Sequence, residues 1–151
     1  MKIRNEMRLD FPALPENESF ARMVISGFIL PLNPTIEELA DVKTAVSEAV
    51  TNAIIHGYAN GMGTVRMHAI CTEEGVLTVD VIDRGCGIRD IESARQPFYT
   101  TSDGDERSGM GFTVMESFMD VVEVRSKVGT GTTVRMVKQI DVREESLARN
   151  A

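Results

Sequence analysis

Residues 36–57 carry two helical patterns at once. Ile36, Leu39, Val42, Val46, Ala49, Val50, Ala53 and Ile54 recur at the spacing of one helix face, while Glu48, Asn52 and His56 fall four residues apart on another. Such a helix must rest one side on a core and present a carboxylate, an amide and an imidazole from the other. Short alternating segments follow it, punctuated by Asp83-Arg84-Gly85-Cys86-Gly87, Gly109-Met110-Gly111 and Gly129-Thr130-Gly131-Thr132-Thr133. A polar helical row followed by three glycine turns predicts an α/β chain with a ligand cleft beside that helix.

The remaining elements are read from local pattern. Residues 4–11 alternate, with Met7, Leu9 and Phe11 on one side and Arg8 and Asp10 on the other, as a first strand. Phe20, Met23, Val24 and Phe28 suggest a helix over residues 17–30, ended by Pro31. The next helix can start at Thr35 with Glu38 in a capping box, or at Asn33 with Pro34 in its first turn, and Gly57 in a left-handed conformation is its expected stop. Residues 64–71 and 76–83 read as a hairpin, and residues 91–95 as a short helix. The polar stretch TTSDGDERSG reads as a mobile loop. A helix from about Gly109 should turn Phe112, Met115 and Phe118 inward, and strands over residues 120–126 and 132–139 flank the last glycine turn. Residues 1–140 are expected to form one domain, with a polar tail over residues 141–151.

Composition narrows the function classes. At 151 residues and 42% hydrophobic, without an apolar run of membrane-spanning length, the chain is expected to be soluble and to have no membrane partner. Its start, MKIRNEMRLDF, lacks the apolar stretch of a secretory signal, so the expected location is the cytoplasm. A formal charge of −7 argues against direct nucleic-acid binding, for which a basic patch is the usual footprint. Cys71 and Cys86 are too few for a disulfide framework and belong to no zinc-spaced cluster.

The motifs carry chemistry. Glu48 could orient and deprotonate an attacking hydroxyl, and Asn52 could give one oxygen to a hard cation such as Mg²⁺, whose other ligands are phosphate and water. Taken alone, the pair reads equally as a solvated helix face. Asp83 closes an apolar strand and could accept from an adenine amino group, with Gly85 and Gly87 admitting a flat ligand; the bland reading is an Asp-capped turn. Ser108, Gly109, Met110, Gly111 and Phe112 form a glycine-rich entry into a helix, where unpaired N–H groups can hold phosphate. Arg107 stands beside them as a possible phosphate partner or a solvated charge. Thr132 can bring a hydroxyl to the base pocket beside Asp83 while its glycines serve as a strand turn. His56 is a secondary nucleotide contact or a histidine favoured by the helix dipole. His68 is read as a surface residue.

In this order, Glu48-x-x-x-Asn52-x-x-x-His56, Asp83-x-Gly85-x-Gly87, Gly109-x-Gly111 and Gly129-Thr130-Gly131-Thr132 resemble the N, G1, G2 and G3 boxes of the gyrase, heat-shock chaperone, histidine kinase and mismatch-repair (GHKL) ATPase superfamily. The resemblance spans about residues 36–138. It implies the Bergerat fold: a two-layer α/β sandwich with a mixed, mostly antiparallel sheet, helices on one face, and ATP between helices and a lid. It also implies Glu48 as catalytic base, Asn52 as Mg²⁺ ligand and Asp83 as the adenine-recognising carboxylate. Gly87, Gly109, Gly111 and Thr132 would line the nucleotide, with Thr100 and Ser108 flanking the lid as phosphate contacts.

Within that superfamily, the stretches NESFAR, SEAVTNAIIHGY, ARQPFYTT and ERSGMGFTVMESFMD resemble the anti-sigma kinases of spore-forming bacteria. The resemblance implies a homodimeric serine kinase that uses ATP with Mg²⁺ and also binds ADP. It further implies that the chain silences the sporulation sigma factor F and phosphorylates an anti-anti-sigma factor on serine. Arg22, in the charged region 16–22, is the expected partner contact. Two alternatives stand beside this: a nucleotide-switched binding module without catalysis, and the detached ATP-binding domain of a histidine kinase, for which the chain offers His56 and His68 but no separate acceptor helix.

Overall fold

The computed structural model describes residues 2–58, 62–96 and 111–141. Five of the expected site residues, Thr100, Arg107, Ser108, Gly109 and Met110, lie outside them, as do the polar loop that carries most of them and residues 142–151 of the tail.

Alternation builds a sheet of β1 (Ile3–Pro12), β2 (Thr64–Thr72), β3 (Val76–Asp83), β4 (Val121–Lys127) and β5 (Gly131–Gln139), in the spatial order β1-β2-β3-β5-β4. Every neighbouring pair is antiparallel, so the expected mixed sheet narrows to an antiparallel one among the described strands. Two of these pairings, β2–β3 and β4–β5, follow from their connections: residues 73–75 and 128–130 are too short for anything but hairpins. One face is apolar, with Val65, Met67 and Ala69 on β2, Leu77, Val79 and Val81 on β3, and Val134 and Met136 on β5 all buried. The other face is charged. There Arg135 grips Asp80 with two bonds of 2.8 Å, Arg66 grips Asp10 at 2.7 and 2.9 Å, and His68 meets Glu6 at 2.6 Å.

The helices α1 (Asn17–Ile29), α2 (Ile36–Asn52) and α4 (Gly111–Phe118) cover the apolar face, with α2 between the other two; α3 (Ile91–Ala94) is a single turn. On α2, Val42, Val46, Ala49 and Val50 are buried, as the periodicity predicts, whereas Ile36 is 89% exposed at the helix start. Each fully buried aliphatic side chain contributes about 1.5–3 kcal/mol relative to exposure. Phe112 and Met115 of α4 join the same core.

The helix expected over residues 17–30 is present as α1. Its buried stripe is Ala21, Ile25 and Ile29, while Phe20 is 48% and Met23 73% exposed. Val24 and Phe28, half-buried, pack against the same core. The helix also gives way to a 3₁₀ turn, Leu30–Leu32, which runs through Pro31 and ends at Asn33 in the left-handed region at φ 54°. Among the described residues, no helix is long and apolar enough to cross a membrane.

Candidate functional site

The site begins with how α2 is anchored. Thr35 Oγ1 accepts from Glu38 N–H at 3.0 Å and Glu38 returns a carboxylate oxygen to Thr35 N–H at 2.8 Å, so the capping box, not Asn33-Pro34, starts the helix. Regular winding from that cap to Asn52 puts Glu48 and Asn52 on the same side, one turn apart, both half-buried.

Beyond Asn52 the winding changes. Ala53–Gly57 form a π turn, wider than an α turn, and His56 falls within it. His56 is half-buried in that turn. The widened turn has its own use. Gly57 O accepts from Cys86 N–H at 2.8 Å and His56 O lies 3.1 Å from Cys86 Sγ, which ties the end of α2 to the loop after β3.

Gly57 and Gly85 explain why this junction needs glycine. A Cβ on Gly57 would stand 2.7 Å from the carboxyl carbon of Asp83, and one on Gly85 would stand 1.7 Å from Gly57 O. Gly57 is therefore required by the nearness of Asp83 and not by a left-handed helix stop, since its φ is not positive. Gly85 admits another backbone, where the sequence suggested a flat ligand. Gly87 adopts φ 78° with its α-carbon facing Lys127 O, and Cys86 O accepts from Gly129 N–H at 2.8 Å, so the first and last glycine turns are stitched together.

Asp83 sits at the centre of this junction. It is 6% exposed, pairs in register with Thr132 of β5, and accepts from Gly85 N–H at 2.9 Å. Burial pushes its carboxyl above the ordinary value, against the pull of the Gly85 and Thr132 N–H groups. A buried carboxylate with acceptor capacity left over suits a ligand that brings its own donor. Next to it, Tyr58 Oη accepts from Arg84 N–H and donates to Thr64 O, both at 2.7 Å, fixing the chain as it leaves β3.

The second side of the candidate site is α4. A Cβ on Gly111 would lie 2.9 Å from Asn52 Nδ2 and 3.2 Å from Oδ1, so the amide faces the first residue of α4, whose leading N–H groups have no partner within the helix. Phe112 does not line the cleft with its ring, which is in the core at 8% exposure; any contribution it makes to a bound anion is through its backbone. Arg22 lies apart on α1, half-exposed, with one guanidinium nitrogen 3.6 Å from Glu18 and another 3.4 Å from Ser19 Oγ. Glu18 also accepts from Ser47 Oγ, which connects this charged group to the helix that carries Glu48.

Two residues of the site escaped the sequence reading. Tyr58 closes the stretch SEAVTNAIIHGY but was given no role of its own, and Ser126 becomes visible through the β4–β5 register, where it faces Thr132 with 2.7 Å between the hydroxyls. Cys71, buried, and Cys86, exposed, are free thiols as expected.

The family model for the histidine kinase-like ATPase domain matches residues 11–138. An anti-sigma F factor of Geobacillus kaustophilus is 55% identical over 138 residues, covering 91% of this chain and 94% of the relative. One from a Thermoanaerobacter species is 55% identical over 140 residues, covering 93% and 97%. Among solved structures, the RsbU and RsbW domains of a Mycobacterium tuberculosis protein superpose with a TM-score of 0.67 at 20% identity, covering 90% of this chain and 32% of the other. The SiaB–SiaC complex of Pseudomonas aeruginosa gives 0.59 at 14% identity, covering 90% and 89%. These structures share the fold, and the chain belongs to the anti-sigma F factor family of histidine kinase-like ATPases.

Proposed function

We propose that the chain is a protein serine kinase and sigma-factor antagonist: it uses ATP with Mg²⁺ to phosphorylate an anti-anti-sigma factor on serine, and it binds and inhibits the sporulation sigma factor F. The observation that carries the reading is the placement of Glu48 one turn from Asn52, whose amide faces the start of α4. Asp83 and Thr132 take the base of the nucleotide, and the N–H groups at the start of α4 take phosphate. Glu48 receives the proton of the incoming serine hydroxyl, and Asn52 offers its amide oxygen to the cation.

The donor set suits Mg²⁺. Among the described residues no group of three His, Cys, Asp or Glu side chains could cage a metal, whereas one amide oxygen suffices for a cation held chiefly by phosphate and water. When bound, Mg²⁺ supplies neutralisation of charge on the phosphates. Asn52→Ala is expected to weaken ATP binding about tenfold or more in Mg²⁺ and far less in EDTA, by calorimetry. Equal weakening in both would remove Asn52 from the metal.

Histidine autophosphorylation gains no support from the geometry, because His68 lies on the charged face of the sheet, paired with Glu6, away from the helices. Partner binding is assigned to the surface around Arg22, with the lid as a second contributor, and to a homodimer as the binding unit. Arg22→Glu places a like charge opposite Glu18 and is expected to weaken capture of both the sigma factor and the anti-anti-sigma factor about tenfold. Normal capture of both would end the Arg22 assignment. A pull-down from sporulating cells with ATP or ADP tests the whole reading: both partners should be recovered, each with its own nucleotide preference, and recovery of neither would refute it.

A further inference from the structure

Ser126 stands where three elements of the cleft meet. It lies on β4, pairs in register with Thr132 of β5, and Thr132 pairs in turn with Asp83 of β3, so the three side chains form one row on the helix-facing side of the sheet. Its hydroxyl makes three contacts. Ile88 N–H, in the loop after β3, approaches at 2.7 Å, Gly131 O at 3.1 Å and Thr132 Oγ1 at 2.7 Å.

A serine hydroxyl has one proton and two lone pairs, which limits how these contacts can be assigned. Ile88 N–H can act as donor alone, so it takes one lone pair. Gly131 O can act as acceptor alone, so it takes the proton. The remaining contact then requires Thr132 to donate its proton to Ser126. This arrangement satisfies all three contacts, and it leaves Thr132 Oγ1 with lone pairs and no proton for a ligand. Asp83, next in the row and 6% exposed, is likewise an acceptor when ionised.

We propose that Ser126 sets the hydrogen-bonding polarity of the base pocket: by holding the Thr132 proton it leaves Thr132 and Asp83 as adjacent acceptors, which select a purine with an amino donor at C6 and reject a 6-oxo purine. The inference rests on the ATP-binding reading above. Ser126 is a positioning residue that touches no ligand and acts through Thr132. A 6-oxo group would set its lone pairs against those of the threonine and the aspartate, and a buried acceptor left without a donor carries a heavy penalty.

Calorimetry of the full chain with Mg-ATP and Mg-ITP tests this, because the two differ only in the base. The wild type should prefer ATP by about 100-fold, the scale of two opposed acceptors. Ser126→Ala and the size-matched Ser126→Cys free the Thr132 proton to turn toward a 6-oxo group and should cut the preference about tenfold, chiefly by improving ITP relative to ATP. Ser126→Thr keeps the hydroxyl and should keep the preference. ATP and ITP weakened by equal factors in both variants would reduce Ser126 to a structural tie and overturn the proposal. A wild type that binds ATP and ITP alike overturns it while leaving the ATP reading intact, and a wild type that binds neither overturns both.

Discussion

Glu48→Gln is expected to lower phosphoryl transfer to the anti-anti-sigma factor by about 10²–10⁴-fold, the scale of losing a positioned general base. Glutamine keeps the size and shape of the side chain, and position 48 lies within a helix secured by its capping box, so the fold has no reason to change. Nor should ATP binding fall, because in the proposed function the base and phosphate contacts fall to Asp83, Thr132 and the start of α4, and the cation to Asn52. Single-turnover transfer and calorimetric ATP affinity separate the two quantities: the first should collapse and the second hold. Transfer at the wild-type rate would take the base role from Glu48.

Asp83→Asn is expected to lower ATP affinity about 10–100-fold, the range for a hydrogen bond to a charged acceptor replaced by a neutral one. The same change should alter stability in the opposite sense. Burial raises the carboxyl of Asp83 above its ordinary value in the folded chain, so between the unfolded and folded values the folded state holds a proton that the unfolded state has released. Stability of the nucleotide-free wild type therefore falls as pH rises through that window and stays lowered above it. Asparagine cannot ionise. Its variant should show a flatter pH profile and a higher Tm at neutral pH, at about 2–4 °C per kcal/mol recovered, while binding ATP worse. A parallel loss of stability and affinity would contradict the assignment of Asp83 as a carboxylate kept for a ligand.

Contrasts among particular residues show what could be read in the chain before its fold. Glu48 and Asn52 were legible because four residues on a capped α-helix fix their relation locally. The β2–β3 pairing was legible because Val65, Met67 and Ala69 alternate against Leu77, Val79 and Val81 across a short turn. The π turn after Asn52 was not legible, because it answers to a partner, Cys86, thirty residues from His56. Gly57 and Gly85 were recognised as glycines with a purpose, but their purpose depends on Asp83 and on each other, which lie in different elements. Ser126 carries no motif; its meaning comes from a strand register and from a contact to Ile88 across 38 positions. On α1, Phe20 and Met23 are larger than Ala21, yet the small residue is the one fully buried.

The central claim is that this cleft moves a phosphoryl group to a serine on another protein. Incubating the purified chain with γ-labelled ATP, Mg²⁺ and a purified anti-anti-sigma factor, and then determining which protein and which amino acid carry the label, tests it most directly. Acid-stable phosphoserine on the anti-anti-sigma factor is the predicted result. Acid-labile label on the chain itself, or bound ATP whose γ-phosphate stays in place, would contradict it.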